Sequence, residues 1–165
     1  MVKTVVAAVA AGVLASTGAM APGGPDPQPC AGPRHVRADD VTKVEGSPLQ
    51  GGRSAFVFTV TSTGCWPATT LNYEVAMIDS AGPSDVQTGL GSITFALHDK
   101  SPRTILVPVT PDAYPEYDEV FALWLTEPQV PGLVIDDCLG VGTILNDDFG
   151  VVLEPKIAPR LHCAE

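Results

Sequence analysis

Positive charge is scarce in this chain. Of 165 residues only 9 are Lys or Arg, against 19 Asp or Glu, giving a formal net charge of -10. Nucleic acids and anionic lipid surfaces are held by clustered cations, so both are excluded as partner classes. Catalytic signatures are missing too. The three histidines, His35, His98 and His162, stand apart from any Ser or Cys partner pattern. No G-x-S-x-G, H-E-x-x-H or phosphate-binding loop occurs, and the chain is read as a non-enzyme. Helical periodicity is lacking over any useful length. With 16 Gly and 16 Pro, both helix breakers, a helical bundle is ruled out. Charged residues make up 17% and apolar ones 45%, enough apolar material for one folded domain.

The single long apolar run lies at the N-terminus. Lys3 precedes an uncharged stretch from Thr4 to about Ala15, and Ala19-Met20-Ala21 offers a small-x-small cleavage site. Residues 1–21 are therefore expected to be a signal peptide of a secreted protein, with no stable membrane insertion once it is cleaved. Export gives the cysteines meaning, because disulfides persist in such compartments. Cys30, Cys65, Cys138 and Cys163 all follow the cleavage site and allow three pairings. No C-x-x-C or H-x-x-x-H spacing favours zinc.

Residues 22–38 are rich in Pro and Gly and are expected to form an extended leader arm. Alternation with a period of two then begins. Seven strands are expected, near Val41, Ser54, Thr69, Ser92, Thr104, Glu119 and Gly140, separated by Gly, Pro, Asn or Asp clusters. Their inward faces would carry Phe56, Phe58 and Val60; Leu71, Tyr73, Val75 and Met77; Ile93, Phe95 and Leu97; Ile105, Val107 and Val109; and Phe121, Leu123 and Leu125. Trp124 falls at a core or half-buried position. The pattern is all-β and predicts a seven-stranded antiparallel, Greek-key, immunoglobulin-like β-sandwich over residues 39–149. Residues 150–165 would form an extended C-terminal arm.

Successive turns of such a sandwich alternate between its two ends. Glu45 leaves the first strand, Asp85 lies between the third and fourth, Asp112, Glu116 and Glu119 between the fifth and sixth, and Asp147 and Asp148 follow the seventh. All four segments fall at one pole. Seven carboxylates crowded there suit a hard cation, and calcium takes about six to eight oxygens from flexible loops. Two calcium ions would cancel four of the seven charges. Two of the three remaining connections place Cys65 and Cys138 at the opposite pole. A Cys65–Cys138 bridge is then natural, with Cys30–Cys163 tying the arms together, and Trp66 would pack beside it. Asp136 and Asp137 also fall at that pole and are expected to take no part in the main site.

The ordered run of motifs resembles the Calx-beta domain. It comprises Val44-Glu45-Gly46, Phe56-Val57-Phe58-Thr59-Val60, Ser84-Asp85, Gly91-Ser92-Ile93-Thr94-Phe95 and Thr104 to Val109. Asp112-x-x-x-Glu116-x-x-Glu119-x-Phe121 and Gly142-Thr143-Ile144-Leu145-Asn146-Asp147-Asp148 complete it. That family forms seven-stranded sandwiches, found in the regulatory region of sodium–calcium exchangers and in extracellular adhesion proteins. The resemblance implies calcium at Glu45, Asp85, Asp112, Glu116, Glu119, Asp147 and Asp148. Val86 departs from the tyrosine common after the Asp85 position, and Ala96 to Lys100 from the glycine common after the fourth strand. The expected function is a secreted calcium-binding module in calcium-dependent binding or adhesion, with an extracellular protein or glycan partner. The alternative is a metal-independent, disulfide-stapled structural or interaction module.

Overall fold

In the computed structural model the described residues are 32–48, 54–64, 67–78, 81–126 and 130–148. They form nine strands and no α-helix: β1 (Arg34–Ala38), β2 (Val41–Val44), β3 (Ser54–Thr63), β4 (Thr69–Met77), β5 (Gly89–Phe95), β6 (Arg103–Val109), β7 (Glu119–Thr126), β8 (Leu133–Asp137) and β9 (Leu139–Leu145). Two sheets result, ordered β6-β3-β1-β8 and β2-β9-β7-β4-β5. The expected signal peptide, the C-terminal arm, Trp66 and three of the four cysteines lie outside the described residues. So do both expected bridges, except for Cys138, which is buried and disulfide-bonded.

The all-β sandwich is as the alternation predicts, but with two more strands. Both are first halves of strands that change sheets. β1 pairs with β3, and after Asp39-Asp40 the chain continues as β2 beside β9. Likewise β8 pairs with β1, and after Cys138 the chain continues as β9 beside β7. Because the two crossing strands run in the same direction, the β1–β8 and β2–β9 pairs are parallel. The remaining pairs are antiparallel. Residues 34–38, placed by sequence in the leader arm, are thus a strand of the sandwich.

Between the sheets lie alternate residues of each strand, where apolar burial is favourable. Phe121 is the centre: its ring meets Phe56 edge-on at 5.3 Å and Phe58 at 5.7 Å. Gly142 lies against that ring, and a Cβ there would collide with it. Phe56, Phe58, Val60, Leu71, Val107, Val109 and Leu123 are fully buried as expected. Tyr73 is only half-buried, and two expected core positions are exposed. Met77, the last residue of β4, is 42% exposed, and Leu97, in the turn beyond β5, is 51% exposed. In each case the alternation runs past the point where the opposite sheet covers it. Trp124 is half-buried, as its position suggests.

Arg34, at the start of β1, is fully buried. Its Nε donates to Pro67 O (2.8 Å), Nη1 to Ser62 Oγ (2.7 Å) and Asp99 O (2.8 Å), and Nη2 to Ala96 O (2.9 Å). Its guanidinium also lies 5.3 Å from the centre of the Phe95 ring. One cation therefore ties together β3 and the connections after β3 and β5. Asp136 sits beside His35 at 2.9 Å, and Asp137 Oδ1 accepts from Leu139 N.

Candidate metal centre

The acidic pole is built where four segments leave the strands. β2 ends at Val44, and Gly46, with φ of 95°, turns the chain away just after Glu45. Such a φ suits glycine, which has no Cβ to clash. Glu45 is 4% exposed; its N–H donates to Leu145 O at 2.9 Å and its Oε1 accepts from Asp112 N at 2.9 Å. Asp85, 6% exposed, sits in a tight turn in which its Oδ2 accepts from Gly82 N at 2.8 Å. Its own carbonyl accepts from Thr110 N, fastening the β4–β5 connection to the end of β6. Asp112 Oδ1 accepts from Tyr114 N at 2.7 Å, curling the β6–β7 loop. The segment after β9 is set by Asn146, whose N–H donates to Asp118 Oδ1 and whose Nδ2 donates to Glu116 O. Asn146 Oδ1 in turn accepts from Asp148 N at 3.0 Å.

These turns aim carboxylates at one another. Glu45, Asp112 and Asp148 form one triad and Asp85, Asp112 and Glu116 a second; within each triad one oxygen per residue lies within 4.8 Å of the others. Asp112 belongs to both. Glu119, at the start of β7, joins the cluster closely enough to feel the charges of Asp85, Glu116 and Glu45. Asp147 stands apart: it is exposed and its Oδ1 accepts from Gly46 N at 3.2 Å, holding the turn after β2. Of the seven acids read from sequence, the fold brings six together. It also gives positioning work to Asn146 and Asp118, which the sequence reading left without a role. The signal for Asn146 was present, since an Asn followed by polar residues commonly bonds the backbone two positions on.

Electrostatics show what the crowding costs. Burial first, and then the charges of Asp85, Glu116 and Glu45, push Glu119 up to about 8. Burial, with Asp112, Glu116 and Asp148 alongside, raises Glu45 to about 7. Glu116 is raised as well, by burial and by Asp112, Asp85 and Asp148. Asp148 Oδ2 is buried without a hydrogen-bond partner. A buried, unpaired carboxylate oxygen is costly unless a cation meets it.

Known folds match this architecture. The apo-form Calx CBD1 domain superposes with a TM-score of 0.60 at 19% identity, over 70% of this chain and 99% of that one. This chain has the Calx-domain fold. CBD12 from CALX1.2 aligns at a TM-score of 0.59 and 19% identity, over 69% of this chain and 46% of that longer one. The Calx CBD2 domain aligns at 0.53 and 11% identity. No family sequence model matches the chain, and no curated protein matches its sequence. The Calx-type strand order is what delivers the end of β2, the end of β9 and the β4–β5 and β6–β7 connections to one pole.

Proposed function

We propose that this protein is a calcium-binding module whose ions sit in the two carboxylate triads sharing Asp112. The observation that carries the reading is the buried, unpartnered Asp148 Oδ2 facing a cluster already too crowded with negative charge to ionise fully. The donor set is all oxygen, and calcium prefers such sets on flexible loops over the tight octahedron of magnesium. Glu45, Asp85, Asp112, Glu116, Glu119 and Asp148 would supply the ligands, and Asp147 would order the turn beside them. A solved neighbour described as the calcium binding domain CBD12 of CALX1.1 has the same fold, which supports the reading. The ions would set the shape of the four loops and so of the pole they form.

The signal-like N-terminus and the disulfide at Cys138 suit a secreted protein working where calcium is plentiful and disulfides last. In that setting the ordered pole would serve calcium-dependent binding or adhesion to an extracellular protein or glycan, with Cys65–Cys138 and Cys30–Cys163 as the bridges. Isothermal titration with calcium chloride tests the core of the proposal. Saturable binding should be measured for the protein and lost in Asp112→Asn, which removes a ligand from both triads. A protein that binds no calcium, and that Asp112→Asn merely stabilises, would instead be the metal-independent, disulfide-stapled module.

A further inference from the structure

Among the described residues each sheet has two edge strands: β6 and β8 in one, β2 and β5 in the other. An edge offers unpaired N–H and C=O groups to any passing strand, and proteins blunt it with charges, proline or shortness. Three of these edges are blunted in that way. β2 is four residues long and carries Lys43, β6 carries Arg103 and Pro108, and β8 is five residues long and ends in Asp136-Asp137. β5 has no such device. Its sequence, Gly89-Leu90-Gly91-Ser92-Ile93-Thr94-Phe95, holds no charge and no proline, and Leu90 is 83% exposed on it.

The free part of this edge can be defined. Arg103 Nε donates to Thr94 O at 2.8 Å, reaching β5 from the other sheet. N–H and C=O of alternate residues point to the same side of a strand. The groups of Ser92 and Leu90 therefore share the free side with Thr94, while Gly89, Gly91 and Ile93 face β4. Thr94 being occupied, the segment left open among the described residues is Leu90 to Ser92, symmetric about Gly91.

We propose that β5 pairs with β5 of a second copy, antiparallel and with the two-fold axis at Gly91, so that two five-stranded sheets join into one of ten strands. Leu90 of each chain would then exchange both backbone hydrogen bonds with Ser92 of the other. Charge placement selects this occupant and this direction. β5 starts at the acidic pole, four residues after Asp85, and ends at the Arg34 pole beside Phe95. Antiparallel pairing of two copies sets the acidic pole of each beside the Arg34 and Arg103 end of the other, whereas parallel pairing would press the two acidic poles together. Glycines on both sides of Leu90 let the second backbone approach closely. A one-strand interface is small beside the roughly 800 Å² per partner of a stable complex, so the dimer is concentration-dependent.

Sedimentation equilibrium over a hundredfold concentration range, up to the millimolar region, tests the pairing. The wild type should move from monomer to dimer mass, and Leu90→Lys should stay monomeric, because lysine blunts the edge. Ser92→Pro, which deletes a free-side N–H, should also stay monomeric. Amide exchange provides the second readout: Leu90 and Ser92 should gain protection as concentration rises. A wild type that remains monomeric throughout would overturn the proposal. So would a dimer that survives Leu90→Lys, or Leu90 and Ser92 amides protected equally at every concentration. None of these results depends on calcium binding.

Discussion

Glu119 and Glu45 hold protons far above the ordinary carboxylate range, and the consequence for stability has a definite sign. The folded chain keeps these protons up to about pH 8 and 7, while the unfolded chain releases them near 4.5. Where the native state binds more protons, stability falls as pH rises. In chelator the melting temperature should therefore drop steadily between pH 5 and pH 8, and Glu119→Gln should flatten the drop. At saturating calcium the fall should vanish, since the ion replaces the protons; thermal melts with and without chelator check both statements. Asn146 acts one step further out. It touches Asp148, Asp118 and Glu116 without being an acid, so Asn146→Ala should weaken calcium binding by about 10–100-fold, the range for residues that orient ligands. Titration calorimetry would show it, and an unchanged affinity would remove Asn146 from the site. Arg34 makes the opposite kind of contribution. Replacing it by Met strands the carbonyls of Pro67, Ala96 and Asp99, and should cost about 3 kcal/mol in urea denaturation while leaving calcium affinity intact.

The strands were legible to different degrees, and the reasons are physical. β3, β6 and β7 alternate apolar residues facing the opposite sheet, which a period of two reveals directly. β1 hides because Arg34, one of its inward residues, is the most polar side chain available, and only its carbonyl cage makes the position interior. β8 hides for a related reason: Asp136 and Asp137 close it with charges, and Cys138 marks the sheet change that alternation cannot register. Six of the acids were legible because turn parity alone sends them to one end. The isolation of Asp147 was not, since parity places a residue at a pole without saying which way its side chain points. The tight meeting of β9 with the core is a test at this scale. Gly142→Ala would drive a methyl into the Phe121 ring, and overpacking of this kind costs about 1–3 kcal/mol. A circular-dichroism melt lowered by several degrees is expected; an unchanged one would show that Phe121 moves aside freely.

Across the whole molecule the two ends solve one electrostatic problem differently. At one end a guanidinium built into β1 neutralises and organises the connections permanently, with Asp99, held down to about 2 chiefly by Arg103, bound into the same region. At the other end the described loops bring carboxylates and no cationic side chain, and on the proposed reading the neutralising cation comes from solution. Folding at that end would then be linked to ion concentration, whereas folding at the Arg34 end would not. Ligand at about 100 times its dissociation constant stabilises the native state by about 2.7 kcal/mol per site, equivalent to several degrees in a domain of this size. The melting temperature should rise with the logarithm of calcium concentration once binding begins. It should rise far less with sodium chloride at equal ionic strength, since screening weakens repulsion without placing a coordinated cation on Asp148. Differential scanning calorimetry in both salts separates the cases. Equal shifts in sodium and calcium would mean that the pole is only a patch of repelling charge, and a calcium slope that survives Asp112→Asn would place the ion elsewhere.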